Sequence, residues 1–309
     1  MNFLSTASSK EEGVALAAER RKRFTKPLFD PKNPLAAKMM CDVTDTSVMA
    51  AIATMRQAAF KGADVFNLNV SLLDCEHVEE VAPAFAQIRL PVLTAVRRAS
   101  FLTLYGGREP SRLYRTEEER IAVQLRCVEL GAAGIDLELD SHDEDQPSVE
   151  AEIKAGVDAD RAKKLGPIGD ISFDPAVVSA QKHTVQAVKE RGGFVLMSSH
   201  TRRPINVFEA CLITQTAIER GADFVKIVVS TGSRDDQDEL VRASLVMRKQ
   251  FDVPFILMPM GQDTVAARIA LFMLGGGWAV TQNAFVPNGF HQQPLIEAWL
   301  PIVNAWRAS

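Results

Sequence analysis

Three segments of the sequence share one local pattern, in which a glycine and a small residue lead into a short apolar run. They are Gly62–Phe66, Gly131–Ile135 and Gly221–Val225. Glycine can take the left-handed conformation that ends a helix, and the apolar run after it is too short to form a helix. Each segment therefore predicts a helix that ends and a strand that is buried on both faces, as in parallel sheets.

The other short apolar runs raise the number of predicted strands to eight. The strands are Ala36–Asp42, Val65–Val70, Val92–Val96, Gly134–Leu139, Phe194–Ser198, Phe224–Val229, Phe255–Met260 and Trp278–Thr281. Helical spacing follows in the segments Ser47–Lys61, Glu117–Leu130, Val207–Arg220, Asp236–Lys249 and Ala266–Leu274. An open doubly wound sheet would be expected to carry a Gly-rich phosphate loop after an early strand, and the sequence has none. We therefore predict an α/β fold, the (β/α)8 TIM barrel.

Two stretches of the chain are additional to the elements of a minimal barrel. Residues 1–34 form a predicted N-terminal extension with an amphipathic helix at Lys10–Phe24, which we expect to pack outside the barrel or against a partner. Residues 35–309 form the barrel, with an insertion at 141–175 between the fourth and fifth strands. This insertion begins with an acidic run, and both a lid and a solvated loop are consistent with it.

Charge and composition restrict the partners. The 309 residues carry a formal net charge of -4, and basic and acidic residues are mixed along the chain, so we do not expect nucleic acid as a partner. No apolar run has the length of a membrane span and no signal peptide is evident, so we predict a cytoplasmic protein, with a homodimer as one candidate assembly. The four cysteines form no CxxC pair, so neither a zinc site nor a disulfide framework is indicated.

Barrel enzymes assemble their sites from residues at the carboxyl ends of the strands. Polar residues at or near those ends form the set Asn67, Asn69, Arg97, Glu138, His200, Lys226 and Arg268. Lys226 has only apolar neighbours, and burial of an ammonium group is costly unless its pKa falls or it pairs with a carboxylate. It is thus either a nucleophilic amine or a structural lysine paired with Glu138 or another carboxylate.

The remaining polar residues allow several roles. Asp136 and Glu138 share a strand face and could hold a cation, orient an imidazole, compensate Lys226 or form an internal ion-pair network. His200 follows the predicted fifth strand and could transfer protons, although a structural role is also open. Arg97 and Arg268 at one barrel mouth suit a substrate that bears a carboxylate.

Four segments of this sequence resemble type I 3-dehydroquinate dehydratase, and the likeness follows strand order from about Pro34 to Ile302. The segments are Ile135–Leu139, Val195–His200, Gly221–Ile227 and Met260–Gly261 with Ala267–Ile269. The resemblance implies a Schiff-base lyase of the shikimate pathway that needs neither a metal nor an organic cofactor. It also implies roles for Lys226 as the imine-forming lysine, His200 as general base and acid, Glu138 as the residue that orients His200, and Arg268 and Arg97 as substrate ligands.

The sequence also departs from the family pattern. Asn67 and Asn69 stand where the family usually has a glutamate and an arginine that bind substrate. The family's loop after the eighth strand is altered here to Phe285–Gly289, with Gln292 and Gln293 displaced along the chain, and we take Gln292 as a candidate substrate ligand. The leading hypothesis is dehydration of 3-dehydroquinate to 3-dehydroshikimate. A related lyase or aldolase acting on another keto acid, and a non-catalytic binder of a pathway intermediate, are the alternatives.

Overall fold

The computed structural model describes residues 10–28, 36–98, 111–143, 171–201, 203–285 and 292–308. Eight strands form its sheet: β1 Lys38–Val43, β2 Val65–Asn69, β3 Val92–Ala95, β4 Gly134–Glu138, β5 Phe194–Thr201, β6 Phe224–Ser230, β7 Phe255–Met260 and β8 Trp278–Gln282. Their order is β7-β6-β5-β4-β3-β2-β1-β8, and each hydrogen-bonded pair is parallel. Because β7 and β8 also contact each other, the sheet curls into a barrel. The predicted (β/α)8 fold is confirmed.

Helices alternate with these strands. In chain order they are α1 Lys10–Arg21, α2 Val48–Lys61, α3 Ala82–Gln87, α4 Glu117–Glu129, α5 Pro175–Glu190, α6 Val207–Glu219, α7 Arg234–Gln250, α8 Val265–Leu271 and α9 Ile296–Ala308. Short 3-10 turns lie at Val70–Leu72 and Val78–Val81, and a π-helical turn at Phe272–Gly276. Two element boundaries near the site differ from the sequence prediction. Strand β5 extends through His200 to Thr201, and the helix predicted to reach Leu274 ends as an α-helix at Leu271.

The glycines of the repeated pattern have the predicted left-handed backbone. The φ angles of Gly62, Gly131 and Gly221 are 115°, 113° and 96°. Where an aspartate follows, its side chain joins adjacent strands, because Asp64 Oδ2 accepts from the Met39 amide at 2.8 Å and Asp223 Oδ2 accepts from the Val195 amide at 3.0 Å. The repeated pattern therefore ends a helix and, in two of its three copies, also fixes the start of a strand.

Each face of the sheet packs in its own apolar core. The outward side chains of the strands pack against the helices, as Phe66 and Leu68 of β2 do. The inward side chains form a cluster inside the barrel, with members Met40, Val65, Leu93, Ala133, Leu196, Phe224, Ile256, Trp278 and Val280. Side chains alternate along a strand, so residues two positions further toward the carboxyl end also face inward. Asp42, Asn67, Ser198 and Lys226 occupy such positions, and the barrel interior therefore changes from apolar to polar along its axis.

The N-terminal segment packs at the opposite end of the barrel. Arg21 donates to the carbonyl oxygens of Val128 and Ala132 at 3.0 and 3.1 Å. Val128 lies in the last turn of α4, and Ala132 lies between α4 and β4. Phe24 and Leu28 pack against the apolar cluster inside the barrel. This segment thus covers the amino ends of the strands, away from the polar interior.

Two sequence predictions concern residues outside this description. Most of the predicted insertion at 141–175 lies in residues 144–170, and most of the altered loop Phe285–Gly289 lies in residues 286–291. Within the described residues, no helix has both the length and the hydropathy needed to span a membrane.

Candidate active site

Lys226 lies inside the barrel on β6 and is paired with a carboxylate. Its Nζ atom donates to Asp136 Oδ2 at 2.5 Å, and only 5% of the residue is exposed. Asp136 is on β4, so the bond spans the intervening strand β5, whose Ser198 donates from Oγ to Asp136 Oδ1 at 2.6 Å. The sequence allowed Lys226 to pair with Glu138 or with another carboxylate, and in the structure its partner is Asp136.

Asp136 is the centre of this group of side chains. Arg97, which follows β3, places its Nη2 atom 2.5 Å from Asp136 Oδ2, and the carboxylate is fully buried. Burial alone would raise the pKa of Asp136, but the charges of Arg97 and Lys226 and the hydrogen bonds from Lys226 and Ser198 outweigh it and hold this pKa well below its ordinary value. Asp136 is therefore ionised at neutral pH and compensates two cations.

Glu138 faces the same interior but contacts arginines. Arg97 Nη1 donates to Glu138 Oε1 at 2.8 Å, and Arg120 Nη1 of α4 donates to Glu138 Oε2 at 2.9 Å. Arg120 also binds Glu117 at 2.7 Å and Ser141 at 3.0 Å. Asp136 and Glu138 share one strand face, as predicted, and Arg97 joins them.

His200 lies on the same face of β5, two residues beyond Ser198. Burial lowers the pKa of His200 well below 6.5, and the positive charges of Arg97 and Lys226 lower it further, while Asp136 acts in the opposite direction. Because Ser198 is the register partner of Lys226, His200 lies close to Lys226 on the adjacent strand, and its lowered pKa favours the neutral imidazole at physiological pH. We call Lys226, Asp136, Ser198, Arg97, Glu138 and His200 the lysine cluster.

A second polar group lies on β1 and β2. Asn67 Nδ2 donates to Asp42 Oδ1 at 3.0 Å, and Gln293 Nε2 donates to Asp42 Oδ2 at 3.0 Å. Asn69 follows Asn67 by one period of the strand and is 4% exposed. We call Asp42, Asn67 and Asn69 the acceptor cluster.

Arg268 is buried on α8, with 5% of the residue exposed. Its Nη2 atom lies 3.2 Å from Met260 Sδ, and among the described residues its Nε atom has no hydrogen-bond partner. Burial lowers the pKa of Arg268 to about 10, although the charge of Asp42 raises it. Arg268 is thus a buried cation near the acceptor cluster, and its Nε–H group is a donor without a partner among the described residues.

The sequence prediction omitted several residues that the structure brings to these groups. Asp42 ends the first predicted strand, so the criterion used for the other strand ends would have found it. Ser198 is inward by strand alternation. Arg120 lies on a helix, and no local sequence pattern marks it as a site residue, because its partner Glu138 is distant in sequence. Gln293, the neighbour of the predicted Gln292, is the glutamine bound to Asp42, and the assignment of Gln292 stays a prediction.

The fold and the lysine cluster define the class of protein: a (β/α)8 barrel with a buried lysine set among titratable side chains in its interior. The sequence profile described as Type I 3-dehydroquinase matches residues 39–159 and 171–285. Because these two stretches include most of the chain, the protein belongs to the type I 3-dehydroquinase family.

Solved structures with the same fold are distant in sequence. Type I 3-dehydroquinate dehydratase from Clostridium difficile, crystallised with covalent modified comenic acid, is similar with a TM-score of 0.66 and 16% identity, covering 89% of this chain and 93% of that one. The 3-dehydroquinate dehydratase from Geobacillus kaustophilus has a TM-score of 0.64 and 14% identity, with 88% and 91% covered. That from Enterococcus faecalis has a TM-score of 0.60 and 15% identity, with 88% and 94% covered. A search of curated proteins gave no match.

Proposed function

We propose that this protein is a Schiff-base carbon-oxygen lyase that converts 3-dehydroquinate to 3-dehydroshikimate, a step of the shikimate pathway. One observation carries the proposal: the buried Lys226 is paired with Asp136 inside the barrel, and His200 lies on the neighbouring strand β5 among the same charges. Family membership supports the same chemistry.

The first step forms an imine. The Lys226 ammonium first gives up one proton, and the lone pair that this frees attacks C3 of the ketone. The two protons that the nitrogen loses in all leave with the ketone oxygen as water, and the resulting iminium carries the same single positive charge as the ammonium. Asp136 can therefore compensate the nitrogen before and after the reaction. This constant charge balance explains why a buried carboxylate beside the lysine is compatible with imine formation.

The second step removes a proton and a hydroxyl group. The iminium withdraws electrons from C2, so the neutral imidazole of His200 can take the C2 proton and leave an enamine. The protonated imidazole then gives its proton to the departing C1 hydroxyl, which leaves as water. Hydrolysis of the product imine restores the free lysine. Because the iminium itself accepts the electrons, these steps need neither a metal nor an organic cofactor.

The other members of the lysine cluster have supporting roles in this proposal. Arg97 binds Asp136 and Glu138 and holds both carboxylates in place. We assign Glu138 to orienting His200 and Arg97 to a contact with substrate, in addition to the bonds they already make. Arg268, with its unpartnered Nε among the described residues, would bind the substrate carboxylate.

A second candidate keeps the imine chemistry and changes the substrate to another keto acid. The observation that favours it is the acceptor cluster, because two carboxamides and a carboxylate line one side of the interior. In both cases the partner is a small keto acid that bears a carboxylate.

Borohydride reduction tests the proposal. Incubation with 3-dehydroquinate and borohydride should attach the reduced ligand to Lys226, and peptide mass spectrometry should locate it. Lys226→Met should abolish both the adduct and the formation of the enone that absorbs in the ultraviolet. Lys249→Met, which changes an exposed lysine on α7, is the matched control and should retain both.

His200→Ala separates imine formation from proton transfer. The lysine remains, so the adduct should persist, while dehydration should fall by about 10²–10⁴-fold, the usual contribution of general acid-base catalysis. Binding of 3-dehydroquinate with no adduct and no enone would instead support a non-catalytic binder. An adduct with another keto acid but none with 3-dehydroquinate would support the second candidate.

A further inference from the structure

The barrel wall has a seam between β7 and β8. These two strands, both described over their full length, are the two ends of the hydrogen-bonded strand order, so no ladder of hydrogen bonds joins them. A cavity lies between them and has room for about one water molecule. We call it the seam cavity. Its lining includes Ile256 and Leu257 of β7, Val280 of β8, Arg268 of α8, Phe272 of the π-helical turn and Trp299 of α9.

Two buried donors line the seam cavity. Among the described residues, Arg268 Nε and Trp299 Nε1 have no hydrogen-bond partner. Arg268 is 5% exposed and Trp299 is 2% exposed. A buried N–H group without a partner costs free energy, so both donors would stabilise an acceptor that is bound in the cavity.

The backbone of the two strands adds further polar groups. The carbonyl oxygen of Pro254, just before β7, accepts from β6, and that of Gly277, just before β8, accepts from β1. Successive residues of a strand direct their backbone groups to opposite sides, so those of Leu257 and Val280 point into the seam. A ligand in the cavity therefore meets acceptors as well as donors. Water both donates and accepts, whereas a simple anion only accepts, and this lining favours water.

The seam cavity lies at the level of the buried lysine. Ile256 is the register partner of Lys226, and it belongs to the apolar cluster inside the barrel. Phe272 and Trp299 belong to the core between the sheet and the helices. The cavity therefore spans the barrel wall, from the helix layer to the interior beside Lys226.

We propose that the seam cavity binds a water molecule through Arg268 and Trp299, and that this water hydrolyses the product imine on Lys226. The inference rests on the proposed function, in which that imine is hydrolysed in every cycle. The water oxygen attacks C3 of the iminium, and the electron pair of the carbon-nitrogen bond returns to nitrogen. Both water protons end on that nitrogen, so the products are the ketone and the Lys226 ammonium. A guanidinium has five N–H donors, so Arg268 can hold this water and the substrate carboxylate together.

NMR of the full-length protein tests the water site. With nitrogen-15 tryptophan, the indole proton of Trp299 should give a rotating-frame Overhauser cross-peak to water, and Trp299→Phe assigns this signal by removing it. Absence of the cross-peak overturns the inference. A saturable shift of the signal with sodium formate or sodium chloride, together with loss of the cross-peak, would identify an anion site and would also overturn it.

Single-turnover trapping tests the role of the water. Excess protein is mixed with 3-dehydroquinate and quenched with borohydride at successive times. Mass spectrometry separates the substrate and product adducts on Lys226, because they differ by the mass of one water. Trp299→Phe keeps an aromatic ring and removes the Nε1–H donor, so the product adduct should decay about threefold to tenfold more slowly. The conversion of the substrate adduct to the product adduct should keep its rate.

Two further variants complete the experiment. Ala279→Val narrows the seam cavity and should slow the same decay. Trp306→Phe is the matched control, because it makes the same change on α9 at a residue that does not line the cavity, and it should leave both steps unchanged. Thermal unfolding of each variant establishes that it is folded.

The outcomes separate the two claims. An unchanged decay of the product adduct in Trp299→Phe and Ala279→Val overturns the hydrolytic role, and so does equal slowing of both steps, which would indicate a structural effect. Absence of any adduct in the unmodified protein contradicts the proposed lyase function and the hydrolytic role with it. The water cross-peak of Trp299 still decides the seam cavity in that case.

Discussion

Lys226 Nζ and Asp136 Oδ2 lie 2.5 Å apart inside the barrel, joined across strand β5. Both residues are buried, and a buried ion pair is weak evidence for stability because desolvation of the two charges can exceed their attraction. Its value here is chemical, since the nitrogen of Lys226 carries one positive charge as an ammonium and one as an iminium. Asp136 compensates that charge in both states and keeps the lysine directed into the interior.

The pH dependence should reflect the low pKa of His200. The neutral imidazole is the active form of the base, and burial together with Arg97 and Lys226 lowers its pKa well below 6.5. If the titration of His200 controls the acid side of the profile, kcat/KM should be constant from about pH 6.5 upward. It should fall only as the pH drops through the lowered pKa of His200. A pH profile of kcat/KM checks this, and an acid limb centred near the ordinary histidine value would contradict it.

Glu138→Gln should distinguish an orienting residue from a purely structural one. If Glu138 acts on His200, the substitution should lower kcat and shift the acid limb of the pH profile. Glu117→Gln is the matched control, because Glu117 belongs to the same Arg120 network but lies outside the lysine cluster. Both variants should be less stable to denaturant, and an unchanged pH profile in Glu138→Gln would leave Glu138 with a structural role alone.

Asp136→Asn should destabilise the protein in a pH-dependent way. The substitution leaves Lys226 and Arg97 without their shared carboxylate, and breaking a buried pair costs about 3–5 kcal/mol at neutral pH. The folded-state pKa of Asp136 lies below its unfolded value, so its stabilising contribution is present above about pH 4 and is lost as pH falls below that value.

Denaturant unfolding at pH 7 and pH 3 measures this difference. The gap between Asp136→Asn and the unmodified protein should be smaller at pH 3. Asp252→Asn, at an exposed position, should show little change at either pH. A gap of constant size would mean that the substitution acts through packing and not through the charge.

Restoring the family's residues on β2 should fail unless Asp42 changes as well. Asn67→Glu would place a carboxylate in the position from which the Asn67 amide now donates to Asp42, and two adjacent carboxylates repel. We expect Asn67→Glu with Asn69→Arg to lower kcat/KM for 3-dehydroquinate and the addition of Asp42→Asn to recover at least part of the loss. Steady-state kinetics of the double and triple variants decide this, and a gain in the double variant would show that Asp42 does not constrain the site.

The sequence determined much of the fold because its strand signals are local. Glycine at the helix ends and apolar runs of strand length depend on neighbours in the chain, so Gly62, Gly131 and Gly221 could be placed directly. The same reasoning placed Lys226 on a buried strand. The resemblance of four short segments to one family then supplied the expected chemistry, and the match of the family profile confirmed the family.

Only the tertiary structure decided which side chains meet. Strand alternation placed Asp136 and Glu138 on one face, but the choice of Asp136 as the partner of Lys226 depends on how β4, β5 and β6 are staggered in the barrel. Arg120 reaches Glu138 from a helix, and Gln293 reaches Asp42 from a segment beyond β8. Such contacts join residues far apart in sequence, and their geometry is set by sheet curvature and helix packing, which no local pattern of residues encodes.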